Sequence, residues 1–337
     1  MPSLWITSRD TEAKLQSERV IITPISNGSD LKSQRNLPLI DIDLVVISSQ
    51  VRISTPLLNI LLERHIPIFF LDGIGRQRGQ FLPALPAHAK SRLIQYQVAT
   101  SPAHQAHIAT TLIAAKIYNQ RRTLQRLALN RNETDLVHIS LQRCTKAISR
   151  LENQTNTPDQ IMGVEGAASA DFYSAWAHFL PDEFPFEHRS RRPPHNPVNA
   201  CLSFTSTILY QEMVAACFAA GLDPGLGSLH HTENGRWSLA LDLLEPFRPV
   251  IIEALTLDLF SRRMLDASHF EPKKNGIYLN WEGRQKLILQ YEKRMERYFH
   301  SEHIAQRSTL RLLLRQLPLL YKRHITDQSP FAPFRMN

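Results

Sequence analysis

Apolar positions along this chain follow two rhythms, and the change falls near residue 85. Before it, short β-branched runs alternate with turn residues, the pattern of strands. Leu4–Thr7, Arg19–Thr23 and Ile42–Ser48 each predict a strand, and Ser26-Asn27-Gly28 predicts a turn after the second. Ile66–Leu71 predicts a buried strand, with Asp72-Gly73 turning the chain into Gln80-Phe81-Leu82. One helix interrupts these runs. Thr55 suits its N-cap, Pro56 its first helical position, and Leu57, Leu58, Leu61 and Leu62 its apolar face.

Pro83-Ala84-Leu85-Pro86-Ala87-His88 reads as a linker, and beyond it the period becomes helical. Ile108, Leu112, Ile113 and Ile117 form one stripe, and Leu124 and Leu127 follow the same spacing. Leu287, Ile288, Tyr291, Met295 and Tyr298 form another, as do Leu310, Leu313, Leu314 and Leu317 beside Arg307, Arg311 and Arg315. Such stripes bury against neighbouring helices. The Pro- and Arg-rich stretch Asp182–Pro197 reads as a loop, and the segment from Ser329 as a frayed tail. The expected fold class is α+β in two domains. A small β-rich N-terminal domain (1–85) precedes a larger all-α domain (86–328), with a tail at 329–337.

Composition narrows the class. Of 337 residues, 43% are apolar and 21% charged, which excludes wholesale disorder. No run approaches the ~18–20 apolar residues of a spanning helix, and Met1–Asp10 has no signal-peptide pattern. Cys144, Cys201 and Cys217 have neither metal-type spacing nor an even number, so a reducing, cytoplasmic setting is expected. The net charge is +8, yet residues 1–85 carry only +1 of it. Arginine supplies 29 of the 39 basic residues, including the pairs Arg121/Arg122, Arg191/Arg192 and Arg262/Arg263. Guanidinium forks match phosphate oxygens, so the excess fits a nucleic-acid binder as well as a merely basic enzyme.

Three local patterns carry candidate chemistry. In Gly163-Val164-Glu165-Gly166-Ala167-Ala168-Ser169-Ala170 a single carboxylate stands among small residues. Buried there it needs a cation or metal; near a helix start it needs only the macrodipole. Gly221–His231 is an irregular connection presenting His230 and His231, of which a tight loop offers at most one to an ion. In Ser238–Pro249, Asp242 and Glu245 are three apart on a helix and interrupt an apolar run. A divalent cation would relieve their repulsion, while Arg248 is an alternative partner, above all for Asp242. Two carboxylates and an imidazole suit partly hydrated Mg²⁺ or Mn²⁺, which can orient a hydroxyl and stabilise a phosphoryl transition state.

Taken together, GVEGAASADFY (163–173), GLDPGLGSLHH (221–231) and RWSLALDLLEPFRP (236–249) resemble the CRISPR-associated adaptation integrase family, the signature nuclease of CRISPR systems. Arg191-Arg192-Pro193-Pro194 leading to Asn199 agrees, as do Asp43–Val46, Ser54–Leu58, Tyr278-Leu279 and Glu282-Gly283-Arg284. Ser228 stands where the family usually has Phe, and Phe172-Tyr173 where it usually has Tyr-Phe. The resemblance implies a metal held by Glu165, His230 and Glu245, with Asp242 an accessory acid beside it and Arg248 in support. It implies a homodimer joined through the β-rich domains, double-stranded DNA as substrate and a second small adaptation protein as partner. The implied reaction is insertion of short DNA fragments as spacers by attack of a 3′-hydroxyl on an array phosphodiester. Arg191, Arg192, Arg248, Lys273 and Lys274 are the expected phosphate contacts. A stand-alone endonuclease acting on branched DNA and a non-catalytic DNA-binding scaffold are the alternatives.

Overall fold

The structure is a computed structural model that describes residues 3–8, 10–25, 34–48, 50–72, 77–82, 89–129, 135–273, 275–301 and 304–337. The expected turn at 26–28, Gly73, the linker 83–88 and Lys274 therefore lie outside the described residues. The chain divides into two compact units, Met1–Pro86 and Ala87–Asn337.

The first unit contains β1 (Ser3–Ile6), β2 (Thr11–Gln16), β3 (Arg19–Pro24), β4 (Arg35–Pro38), β5 (Leu44–Ser48), β6 (Val51–Ile53), helix α1 (Thr55–Glu63), β7 (Ile68–Leu71) and β8 (Gln77–Phe81). They form two four-stranded sheets, ordered β1-β5-β7-β8 and β4-β3-β2-β6. β1, β5 and β7 pair in parallel, with Val46 opposite both Trp5 and Phe69. β2 is hydrogen-bonded antiparallel to β3 and parallel to β6. Ala13, Val20, Val45, Leu57, Leu61 and Ile68 share one buried cluster, so the Leu57/Leu61 stripe docks α1 on strand side chains. The helix begins one residue earlier than expected: Ser54, not Thr55, is the N-cap, and it makes no side-chain cap bond. β2, β4 and β6 are additions to the expected strands, formed by mixed-polarity segments that pair with an apolar neighbour.

The second unit is built on α2 (Ala89–Ala99), α3 (Pro102–Ala128), α4 (Asp135–Asn153), α5 (Pro158–Ala177), α6 (Pro197–Ala219), α7 (Ser238–Leu244), α8 (Ala254–Ser261), α9 (Trp281–Met295) and α10 (Leu310–Asp327). Two short antiparallel ladders join them, β9 (Phe270–Lys273) with β10 (Gly276–Leu279) and β11 (Tyr298–Ser301) with β12 (Ile304–Thr309). Local capping sets the helix starts. Thr157 and Gln160 form a reciprocal capping box before α5, and Asn196 accepts from the Asn199 N–H before α6. Ile113, Ile117, Cys144, Ile148, Ile161, Val164 and Ala168 fuse α3, α4 and α5 into one core that also takes in Leu229. The three cysteines are buried and unpaired with one another.

Two expectations change. Tyr298 leaves the α9 stripe: it is exposed and opens β11, whereas Leu287, Tyr291 and Met295 are buried. The segment after Ser329 is not frayed, because Phe331, Phe334 and Met336 are buried. Asn119 of α3 donates to the Phe334 carbonyl and accepts from the Met336 N–H, and Phe334 stacks on Phe247 at 5.3 Å. Aromatic burial outweighs the two prolines that suggested disorder. Among the described residues no helix is long and apolar enough to cross a membrane.

Candidate active site

Glu165 lies midway along α5 on the face turned toward α3, where the buried Lys116 ammonium meets it. The same ammonium stands 2.5 Å from Glu245 Oε2. Glu245 begins a single tight turn (Glu245–Phe247) that follows α7, so it projects differently from the helical residues before it. Ser169 donates to Glu165 Oε1 at 2.8 Å, and Gln120 donates to Ser169 at 3.2 Å. Lys116 is the one charged residue in the apolar stretch Ile113–Ile117. That is the signal by which the sequence could have shown it, and the motif reading passed over it.

Electrostatics make these three groups interdependent. Burial works against charge on Lys116, but Glu245 and Glu165 override it and hold the ammonium above its usual range. Burial likewise opposes the Glu245 carboxylate. Lys116, Arg248 and His230 override it and pull its pKa down to about 2. Glu165 is lowered too: Lys116 outweighs both burial and the repulsion from Glu245. Glu245 Oε2 is buried and accepts no well-directed hydrogen bond, despite its closeness to the ammonium.

Asp242 organises the other side. Wholly buried on α7, it receives the backbone N–H groups of Ser228 (2.5 Å), Leu229 (2.9 Å) and His230 (3.0 Å), and its Oδ1 lies 2.6 Å from His230 Nδ1. A carboxylate only accepts, so Nδ1 carries a proton, and in the neutral form of the ring Nε2 presents its lone pair. The glycines around the loop answer geometric demands. Gly221 has φ +74° and closes α6, where its N–H donates to the Phe218 carbonyl. A Cβ on Gly227 would lie 2.6 Å from the His230 carbonyl and 3.0 Å from Asp242 Oδ2. His231 points outward and comes no nearer than 3.9 Å to Asp159.

The alternative partner for Asp242, Arg248, does not pair with it. Arg248 is half-buried beside Glu245 (3.7 Å) and Glu253 (4.0 Å), and Glu253 accepts the Tyr173 hydroxyl at 2.6 Å. Its guanidinium is therefore committed to carboxylates and is not a free phosphate contact. Arg191 and Arg192 are exposed in the connection before α6, Lys273 pairs with Glu271 at 2.6 Å, and Lys274 lies outside the described residues. Arg189, absent from the sequence reading, bonds Asn199 and Ser203 behind that connection.

The donor set fits a hard divalent cation: two carboxylates, one with an unsatisfied buried oxygen, and an oriented imidazole. Among the described residues, however, no three His, Cys, Asp or Glu side chains converge closely enough to share one ion. Lys116 stands between the carboxylates that sequence reading assigned to the metal.

Comparison with known proteins bears on the family and the fold. A family profile described as "CRISPR associated protein Cas1" matches residues 4–293. The chain is 32% identical over 295 residues to "CRISPR-associated endonuclease Cas1 1" of Thermodesulfovibrio yellowstonii, covering 87% of this chain and 91% of the relative. Among solved structures, a casposase bound to integration product superposes with TM-score 0.85 at 20% identity, covering 99% of this chain and 93% of that one. A Cas6-RT-Cas1–Cas2 complex matches with TM-score 0.79 at 23% identity, where 99% of this chain spans 36% of the longer polypeptide. These two likenesses speak for the fold, and the profile and the curated relative speak for descent. The chain belongs to the Cas1 family of CRISPR-associated proteins.

Proposed function

We propose that this Cas1-family chain is a metal-dependent DNA endonuclease and integrase that inserts short DNA fragments as new spacers into a CRISPR array. The observation that carries the site assignment is the pair of facing carboxylates, Glu165 and Glu245, neutralised by one cation beside an imidazole that Asp242 orients. Glu165, Glu245 and His230 Nε2 would hold Mg²⁺ or Mn²⁺ in place of the Lys116 ammonium. When bound, such an ion supplies Lewis-acid polarisation of a phosphoryl oxygen and orients the attacking hydroxyl. Asp242 is a positioning residue that fixes the imidazole tautomer, and Arg248 holds Glu245 ionised from behind. In the reaction a fragment 3′-oxygen forms a P–O bond as the array P–O bond breaks, so phosphodiester linkages are conserved and no energy-carrying co-substrate is required.

Double-stranded DNA and a small second adaptation protein are the proposed partners. The reading draws on the casposase held with its integration product and on the Cas1 segment found with Cas2. Arg191 and Arg192, exposed before α6, are proposed phosphate contacts, with Lys273 a weaker candidate because Glu271 engages it. Homodimerisation through the first unit and a cytoplasmic location complete the proposal. Strand transfer of a 3′-OH oligonucleotide into a repeat-containing duplex tests it, with filter binding on the same preparations. Glu165→Ala and His230→Ala are expected to abolish joining, as EDTA does, while binding persists. Full joining by either variant refutes the site. Hydrolysis of branched DNA without any joining would favour the stand-alone nuclease.

A further inference from the structure

Away from Glu165, α4 and α5 leave an open groove of about 460 Å³ between them. Its wall is a row of cations on α4, Arg143, Lys146 and Arg150, and its floor includes Gly163 and Ala167 of α5. Asp171 closes one end, and its charge is taken by Arg143 at 2.5 Å. Lys146 and Arg150 are exposed and have no carboxylate partner among the described residues. The nearby acid on the same helix, Glu152, pairs instead with Arg335. A Cβ placed on Gly163 would meet nothing within 4 Å, so the floor faces open space.

From these observations we infer that the α4/α5 groove is a nucleic-acid backbone site, separate from the carboxylate centre, in which Lys146 and Arg150 each take a phosphate of one strand. Spacing and charge select this occupant. Four residues of helix separate Lys146 from Arg150, a rise of about 6 Å at ~1.5 Å per residue. One strand of duplex presents a phosphate about every 3.4 Å along the axis, so the two cations span about two phosphate steps. The glycine and alanine floor lets a sugar-phosphate strand approach the helix backbone closely, and two uncompensated cations on the wall demand an anion. The inference rests on the integrase reading for its ligand class; the floor belongs to the 163–173 motif, but the cations it assigns, Lys146 and Arg150, lie on α4 outside the motifs.

The test is DNA binding across a salt series with full-length protein and a short DNA duplex as probe. Each phosphate contact contributes about 0.9 to the slope of log affinity against log salt, so Lys146→Ala with Arg150→Ala should flatten it by about 1.8. Gly163→Leu should fill the groove and weaken binding at least about fivefold with an unchanged melting temperature, since the added side chain enters open space. Arg262→Ala with Arg263→Ala removes the same charge from another exposed position and should leave the slope within about 0.3 of wild type. Equal flattening in both double variants would reduce the groove to bulk charge and overturn the inference. An unchanged slope in Lys146→Ala/Arg150→Ala, or wild-type binding by Gly163→Leu, overturns it as well. Wild-type strand transfer on the same preparations tests the integrase reading separately: a groove can fail while joining stands.

Discussion

Lys116 is the residue on which the metal-free site depends. On the proposed metal assignment, its ammonium and an incoming divalent ion would compete for the same carboxylate oxygens, since Glu165 and Glu245 both face it. Lys116→Met keeps the length and removes the charge. Without metal, half-buried Glu165 then keeps only the Ser169 hydroxyl and buried Glu245 only Arg248 at 3.7 Å among the described residues, and breaking a buried ion pair costs about 3–5 kcal/mol. With metal the competitor is gone, so Mn²⁺ affinity measured by calorimetry should tighten about tenfold or more. Unchanged affinity would mean that the ammonium and the ion do not share a place.

The pH dependence follows from the same contacts. Glu245 is held down at about 2 against an ordinary 4.5, so its ion pair contributes stability above pH 4.5 and loses it as the pH falls toward 2. Removing Lys116 takes away the largest force holding that value down. The gap in melting temperature between wild type and Lys116→Met should therefore be widest above pH 4.5 and narrow as the pH falls, so the variant's acid dependence is the shallower one, as read by circular dichroism melts from pH 3 to 7. Asp242→Asn probes the imidazole instead. All four contacts to this carboxylate are donors, and an amide nitrogen cannot accept from them. Second-sphere losses of this kind cost about 10–100-fold in metal affinity, and DNA binding should change little.

Among the elements, α6, α9 and α10 are joined by a buried charge cluster that apolar stripes alone did not suggest. Arg311 reaches Glu292 of α9 at 3.0 Å, the exposed Glu296 that caps α9 at 2.9 Å, and Glu212 of α6 at 3.4 Å, while Tyr291 donates to Glu212 at 3.0 Å. Read from the sequence, Arg311 belonged to a basic row flanking an apolar stripe; in the structure it is almost wholly buried. Arg311→Met would strand Glu212 in the interior, so chemical denaturation should show a loss of about 3–5 kcal/mol. Arg323→Met, at an exposed position of the same helix, should stay within about 0.5 kcal/mol.

At the scale of the whole molecule, the two units differ in charge as well as in secondary structure. Residues 1–85 are nearly neutral and the remainder carries +7, which fits a protein-binding first unit and a DNA-binding second one. If the proposed homodimer forms through the first unit, the full chain should sediment as a dimer and a chain beginning near residue 88 as a monomer. A dimeric truncation would move the dimer contact to the helical unit.

The sequence by itself determined the change from strands to helices near residue 85, because periods of two and of about 3.6 residues are written locally. It also identified Glu165, His230, Asp242 and Glu245 as candidates, because contiguous motifs keep rare polar residues together among apolar ones. Tertiary structure alone decided their partners. Lys116 lies 49 residues before Glu165, and only the packing of α3 on α5 brings the two together. For Asp242 the sequence left an ion and Arg248 both open as partners, yet the Gly221–His231 loop folds back so that its backbone N–H groups claim the carboxylate first. The tail read as frayed because its prolines and polar residues are local signals, while its docking depends on Asn119, more than 200 positions away. Local periodicity is carried by the covalent chain, but charge pairing and burial are settled only when distant segments exclude water from one another.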